Sequence, residues 1–571
     1  MRIHPLVLTV SLLALPIGLA GQGPAPTTAP APSLDPSRLT QPLGQDWPTY
    51  SGDYTGKRYS TLSEVDRTTV TRLSLAWTAR LTAGTGAGGG GRSRFGGGSP
   101  VIVGGGGPTD LPAVPANVKG TPLMVNGVLY VTSPDNVWAL DARDGREFWH
   151  YFWRTKGSTP IANRGVGIWN NYLFFVTPDN FFVSLDARTG KERWNKEHAD
   201  FAQQYFSTMA PIVVDNHVIV GTGNDIDSPG YIQSFDPETG EVQWRFYTVP
   251  MKEGDPGLDT WPNLQSAKYG GGHPWLPGVY DPETRLYIFG TGNPIPAYTA
   301  GRGEGDNLYT CSLVAVHVDT GKMAWAFQTS PHDMHDWDSA QTPILFEGVV
   351  NGKSRKLVST AARNGYFFTV DRVTGEHLVT TRYGMATNWA KSIDKNGSVR
   401  RNPIKDPTIP GALTSPNSGG TINWEPPAYS PDTKLFYVTE RNSFSIYYLT
   451  DPDPRGSMGL GGKEEVSVGS IGNFLTAIDP TTGKVVWRRP YTTAGGFGGG
   501  GGGGLLTTAG KLVFAGDAGG NFVAYDAESG APLWHTRLGN VSNAAVTYQL
   551  DGRQHILVAS GDTLYAFALY E

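Results

Sequence analysis

Ala139-Leu140-Asp141-Ala142-Arg143-Asp144-Gly145-Arg146-Glu147-Phe148-Trp149 carries a phrase that recurs along the chain. It reads small residue, any residue, Asp, three residues, Gly, three residues, Trp. The phrase returns at Ser184…Asp186…Gly190…Trp194, Ser234…Asp236…Gly240…Trp244, Ala477…Asp479…Gly483…Trp487 and Ala524…Asp526…Gly530…Trp534. Two copies are eroded. Ala315…His317…Gly321…Trp325 has His for Asp, and Thr369…Asp371…Gly375…Val379 has lost the Trp. Each phrase predicts a hairpin. An alternating strand such as Asn136-Val137-Trp138-Ala139-Leu140 ends at the Asp, the Gly supplies the positive φ of the turn, and a second strand carries the Trp. A repeat of about 20–50 residues means a solenoid or a propeller.

The turn glycines are spaced by 45, 50, 81, 54, 108 and 47 residues. The step of 81 fits one unit with a long insertion, and the step of 108 fits two, with Leu435–Leu449 supplying strand-like sequence for an unmarked one. Seven marked units and one unmarked unit predict an all-β fold, an eight-bladed β-propeller with four short antiparallel strands per blade around a central channel. Leu73–Arg80 is expected to close the ring with the last blade. A linear array of β repeats is the alternative.

Composition agrees. The 571 residues include 75 Gly, about twice the usual ~7% share, which argues against a helical bundle. Trp, Tyr and Phe number 16, 25 and 23 with only 17% charged residues, which excludes a disordered chain. A net charge of −5 gives no basic footprint for nucleic acid. A single Cys excludes an internal disulfide, a multi-cysteine zinc site and a C-x-x-C-H haem attachment.

Arg2 and His4 precede an apolar run from Leu6 to Leu15, and Gly18-Leu19-Ala20 offers a small-residue exit. This predicts a signal peptide over residues 1–20 and an exported, periplasmic protein. Residues 21–45, rich in Pro, Ala and Thr, read as a disordered linker, and 46–571 as the propeller. No segment is long and apolar enough for a transmembrane helix.

The repeat resembles the tryptophan-docking motif of the quinoprotein alcohol and methanol dehydrogenases, which use pyrroloquinoline quinone (PQQ). The opening Trp47-Pro-Thr-Tyr50-Ser-Gly-Asp…Arg58-Tyr59-Ser60-Thr-Leu62 and the stretch Val70–Trp77 are similar to that family too. Non-catalytic envelope-assembly propellers share the repeat, so such a scaffold is the rival reading. The insertion in the fourth unit bears on the choice. Gly270-Gly-Gly-His-Pro-Trp275 leads, 18 residues later, to Asn293, and Pro331-His-Asp-Met-His-Asp336-Trp337-Asp338 follows. The resemblance implies Trp275 as a platform under the cofactor, Asn293 as a Ca²⁺ ligand, and Asp338 as catalytic base and metal ligand. Asp225 stands where the family carries a Glu ligand, with Asp227 the other candidate. Arg164, Thr208, Thr222, Arg363 and Asn423 match cofactor contacts.

This chemistry stands on elementary grounds. Ca²⁺ prefers oxygen ligands, a flat quinone needs an aromatic face, and oxidising an alcohol needs a carboxylate for the hydroxyl proton and an electrophile for the hydride. The chain departs from the family at several places. Ser158 and Thr159 replace adjacent cysteines, Lys119 replaces a Glu, Gly501 falls nearest a Trp position, and Arg363 stands for a Lys. Ala340 stands where lanthanide-using relatives carry a second Asp, which favours Ca²⁺. With no C-x-x-C-H, electrons are expected to leave to a separate carrier such as a cytochrome c. The implied function is oxidation of an alcohol or sugar. The tracts Gly84–Gly107 and Gly495–Gly504 read as loops, not phosphate cradles, since no Gly-Lys-Ser/Thr follows.

Overall fold

Each repeated phrase folds as the hairpin its residues dictate. In the second copy the Asp186 carbonyl accepts from Gly190 N at 2.9 Å, while its carboxylate accepts from the backbone N of Arg188 at 3.1 Å and Thr189 at 2.9 Å. The Asp side chain therefore satisfies the turn amides that no strand partner reaches. The computed structural model describes residues 28–81, 117–155, 162–298, 300–450, 463–491, 502–517 and 519–570. The expected signal peptide lies outside these residues, as do the first glycine tract, most of the second, Ser158, Thr159 and Gly501.

Among the described residues the strands form eight sheets of four or five strands and one two-stranded ribbon, Ala390–Ile393 with Val399–Arg401. The architecture is an all-β propeller. The first sheet runs antiparallel through Leu123–Val125, Val128–Ser133, Asn136–Asp141 and Glu147–Phe152. The second to fifth repeat that order, ending at Glu192–Glu197, Val242–Tyr247, Met323–Gln328 and His377–Arg382. The sixth is built on the long pair Leu435–Leu449 and Lys463–Asp479, flanked by Ala412–Thr414 and Lys484–Pro490. The seventh spans Leu505–Thr508 to Pro532–Arg537, with Tyr59–Ser60 added in parallel. The eighth joins the two ends of the chain. Leu73–Arg80 pairs with Thr563–Leu569, followed by Arg553–Ser560 and Val546–Leu550.

Two expectations need correction. Leu435–Leu449 is not a separate unmarked unit, because it pairs along its length with Lys463–Asp479 and shares a sheet with the Asp479 hairpin. The 108-residue step thus holds one sheet and an insertion, and the sheet without the phrase is the one that joins the ends. That sheet has no Asp-Gly-Trp hairpin because its outer strand comes from the other end of the chain. Residues 28–45 are not a disordered linker either. Leu34 pairs with Asn170, Pro36–Thr40 forms a 3-10 turn capped by Asp35, and Ala29, Leu34 and Leu39 are buried in the core. Three apolar side chains at suitable spacing outweigh a Pro-rich composition.

Neighbouring sheets meet through the repeated Trp and Gly. Gly321 has φ 66°, and a Cβ there would sit 2.5 Å from the Trp244 ring of the preceding sheet. Trp244 Nε1 donates to the Val318 carbonyl at 2.7 Å in the same turn. Where the Trp is lost, Val379 faces Gly483. In the eighth sheet Trp77 takes the same place against Gly145. Between sheets the inner strands are buried on both faces, and one apolar cluster runs from Tyr130 through Leu173 and Ile219 to Phe289.

Arg58 pins the opening segment across the seam. It is fully buried and donates to the carbonyls of Tyr50 at 2.7 Å, Leu505 at 2.8 Å and Ala545 at 2.8 Å. The strand order also fixes where function can sit. His217–Thr222, Leu286–Gly290 and Lys353–Ala361 all end on the face opposite the Asp-Gly turns, and the loops after them carry Asp225, Asn293 and Arg363.

Candidate active site

Asp338 is the centre of the polar cluster on that face. It is buried, and both of its oxygens accept hydrogen bonds. Oδ1 accepts from the Asn293 backbone N at 2.7 Å, and Oδ2 accepts from Trp275 Nε1 at 3.2 Å and from the Arg363 guanidinium. Gly292 is required beside it, since a Cβ there would meet Asp338 Oδ1 at 3.0 Å and the His273 carbonyl at 2.9 Å. Arg363 also donates to the Ser418 carbonyl and lies 3.8 Å from Asp336, whose Oδ2 accepts from Tyr298 at 3.1 Å. Burial pushes the Asp338 carboxyl above its ordinary value, Arg363 opposes that, and Asp336 adds to it. Burial alone would lower Arg363, but Asp338 and Asp336 outweigh it and raise it, so the guanidinium stays charged.

Arg164 forms the second feature. Its guanidinium carbon lies 5.1 Å from the Trp275 ring and 5.1 Å from the Trp424 ring. It is 4% exposed, and Nε and Nη1 are buried without a hydrogen-bond partner. Burial lowers it to about 10, against the pull of Tyr50 and Glu425. Glu425 is itself held by Arg441 through two contacts of 2.9 and 3.1 Å. A buried cation with two idle donors between indole faces is costly unless something anionic joins it.

The expected residues sort as follows. Asp338, Asn293, Trp275, Arg363 and Arg164 form one connected group. Thr208 joins it, with its hydroxyl donating to the Trp275 carbonyl at 3.1 Å and its carbonyl accepting from Arg164 N at 3.1 Å. Asn423 is half-buried beside Trp424, and its amide nitrogen donates to the Gly419 carbonyl at 3.1 Å. The Thr222 hydroxyl is spent on the Phe206 carbonyl at 2.9 Å. Asp225, with φ 55°, reaches the group through His273, whose Nδ1 lies 3.9 Å from its carboxylate. His273 is buried with neither ring nitrogen hydrogen-bonded, and burial lowers it to about 3, so it is neutral. Asp227 lies in the same loop, with Oδ1 accepting from Asn224 at 3.2 Å. Lys119 is half-buried, and burial lowers it.

Sequence reasoning missed Trp424 and His273. Both adjoin residues that it did single out, Asn423 and Trp275, but only folding brings Trp424 to Arg164.

Among the described residues no group of three or more His, Cys, Asp and Glu side chains is placed to hold a metal alone. A cation here would use the Asp225 and Asp338 carboxylates, the Asn293 amide oxygen and oxygens from a second ligand. All of these are hard donors that suit Ca²⁺. The idle donors of Arg164, stacked over Trp275, fit a flat polycarboxylate, so the residues present fit both groups.

Residues 47–386 match the family model described as PQQ, glucose/ethanol/alcohol dehydrogenase, beta-propeller domain, and residues 472–569 match that of the outer membrane protein assembly factor BamB. The chain is 32% identical to quinohemoprotein alcohol dehydrogenase ADH IIB of Pseudomonas putida, over 94% of this chain and 76% of that one. The solved quinohemoprotein alcohol dehydrogenase from Comamonas testosteroni is similar at 29% identity and a TM-score of 0.80, covering 94% of this chain and 83% of that one. A europium-containing methanol dehydrogenase is similar at 27% identity and a TM-score of 0.78, covering 93% and 99%. On this match, which spans more than half its length, the chain belongs to the PQQ family of quinoprotein alcohol dehydrogenases, oxidoreductases that act on the CH–OH group.

Proposed function

We propose that this chain is an exported dehydrogenase that oxidises an alcohol or sugar, using PQQ and Ca²⁺. The observation that carries the reading is Arg164, buried between Trp275 and Trp424 with Nε and Nη1 idle, one indole away from Asp338. Arg164 binds a cofactor carboxylate. Trp275 and Trp424 would offer aromatic faces to the flat ring, and Thr208 fixes the Trp275 backbone. Asp225, Asn293 and Asp338 would hold the cation, and Thr222 and Asn423 would contact the cofactor. When bound, PQQ supplies the hydride acceptor and Ca²⁺ the Lewis acid that polarises its carbonyl.

Asp338 accepts the substrate hydroxyl proton as the C–H hydride leaves, and its burial raises the carboxylate's affinity for that proton. Arg363 orients Asp338 and keeps a countercharge beside it. Ala340 supplies no second carboxylate, which supports Ca²⁺ over a lanthanide. The eight sheets are read as the blades of an eight-bladed propeller whose neighbours dock Trp against Gly. The basic and apolar start of the chain supports export.

Reconstitution with PQQ and CaCl₂, followed by dye-coupled oxidation of an alcohol and sugar panel, tests the reading; absence of PQQ binding at micromolar cofactor overturns it. The match of residues 472–569 to an assembly-factor family favours a second reading, a non-catalytic envelope scaffold. That reading leaves a buried, unsatisfied Arg164 without purpose, and it expects no PQQ binding.

A further inference from the structure

The opening segment also builds a feature on the Asp-Gly side of the molecule. The Thr55 carbonyl accepts from Leu345 N at 2.8 Å in the fifth sheet, and the Lys57 carbonyl from Tyr429 N at 2.9 Å in the sixth. These bonds fix the Lys57 backbone and leave its side chain to a groove of about 900 Å³. Arg372, Asp479 and Thr481, from the turns of the fifth and sixth sheets, line the same groove, so it opens on the face away from Asp338.

Most charges around the groove are already committed. Arg372 Nε donates to Asp281 at 2.9 Å, Lys356 pairs with Glu283, and Asp479 accepts from the hydroxyls of Thr481 at 2.7 Å and Thr482 at 2.9 Å. Lys57 is half-buried, and its ammonium makes no hydrogen bond or ion pair among the described residues. Burial lowers it, Asp53 opposes that, Arg372 adds to it and the exposed Glu347 opposes it. Apolar side chains make up much of the wall. Leu345, Phe346 and Leu435 are buried there, and Val349 and Val486 are 62% and 53% exposed. A partly dehydrated amine in an apolar groove, beside a second cation, is the setting in which lysine attacks carbonyl groups. Oxidation of an alcohol does not use this amine, but it supplies a carbonyl compound, since a primary alcohol leaves as an aldehyde.

We propose that Lys57 is a reversible aldehyde-capture site, whose amine forms an imine with an apolar aldehyde seated in this groove. The ammonium first gives one proton to water. The nitrogen lone pair then adds to the carbonyl carbon, and the carbonyl oxygen leaves as water with two protons, one of them from the medium. In balance, ammonium and aldehyde give imine, one water and one proton, with no oxidant or reductant. The same burial that disfavours the ammonium favours the neutral imine, and the apolar wall receives the body of the aldehyde. That the aldehyde is this chain's own product rests on the dehydrogenase reading; capture of an added aldehyde does not.

The test is reductive trapping. Full-length protein without cofactor is treated with hexanal and sodium cyanoborohydride near neutral pH, and the alkylated lysines are mapped by peptide mass spectrometry. Lys57 is expected to be trapped about fivefold or more faster than the exposed Lys252 and Lys391, which lie outside the groove. Its preference for hexanal over acetaldehyde is expected to exceed theirs about threefold or more, because the wall is apolar. Glu347→Gln removes a carboxylate that favours the ammonium, and is expected to speed trapping at Lys57 about twofold. Trapping of Lys57 no faster than of Lys252 and Lys391 overturns the proposal. So does an equal preference for hexanal at all three, or slower trapping in Glu347→Gln. Selective trapping of Lys57 in a protein that binds no PQQ supports the capture site and counts against the dehydrogenase reading alone.

Discussion

Arg164→Met separates a cofactor ligand from a core residue, because the two roles predict opposite balances. Methionine keeps the apolar stem and much of the volume. In the free protein the substitution removes two cation–π contacts at 5.1 Å, worth about 0.5–2 kcal/mol each. It also removes two buried donors without partners, each costing about 1–3 kcal/mol. These terms nearly cancel, so the unliganded variant is expected to unfold in urea within about 1 kcal/mol of the parent, or to be more stable. PQQ binding has no such compensation. Two charge-assisted hydrogen bonds to a carboxylate, at about 1.5–3 kcal/mol each, are lost. The dissociation constant is expected to rise about 10²–10⁴-fold. Arg164→Lys restores the charge but not the planar fork, and recovers only part of the loss. Quenching of tryptophan emission by added PQQ, read from Trp275 and Trp424, measures affinity, and urea melts measure stability. A variant that loses about 3 kcal/mol of stability while binding PQQ as the parent does would refute the reasoning.

Other perturbations follow from the same geometry. Asp338→Asn is expected to cut dye-coupled turnover by about 10²–10⁴-fold while PQQ quenching persists, with unchanged turnover counting against Asp338 as the base. Asp135 is buried with φ 63°, and burial followed by Asp179 raises it to about 8, so the folded state keeps a proton that the unfolded chain gives up near pH ~4. Stability from this group is full below about pH 4 and falls as pH rises toward 8. Asp135→Asn, which accepts the same backbone, is expected to raise the urea midpoint at pH 8 by the equivalent of about 1 kcal/mol or more and to leave acid stability little changed; a lower midpoint at pH 8 would count against it. Gly321→Ala adds a Cβ at 2.5 Å from Trp244 in a left-handed turn, and is expected to cost about 3 kcal/mol in a urea melt, with a cost near zero contradicting the packing described between sheets.

Much of this was legible in the sequence for identifiable reasons. The Asp, Gly and Trp of each hairpin do one local job apiece, so their spacing reports the sheets directly. The sheet that joins the ends has no such signature, since Leu73–Arg80 and Thr563–Leu569 are nearly five hundred residues apart. The count therefore assigned its place to Leu435–Leu449, a strand lengthened by the insertion it carries. Residues 28–45 were misjudged because composition averages over Leu34 and Leu39, the side chains that anchor them. At the site, Trp275, Asn293 and Asp338 were visible as one ordered block. Trp424 was not, because its role exists only through Arg164, which comes from a loop far away in the sequence. The idle nitrogens of Arg164 and His273 are likewise properties of packing, which no sequence pattern records.

The central claim is that this site binds PQQ and uses it on an alcohol. The most direct measurement is an anaerobic absorption spectrum of the purified full-length protein with stoichiometric PQQ and CaCl₂, taken before and after substrate and with no electron acceptor present. The expected result is a bound-cofactor spectrum that converts to the reduced form once per site on adding substrate, and that fails to convert in Asp338→Asn. A spectrum of free PQQ, unchanged by the protein and by every substrate in the panel, would contradict it.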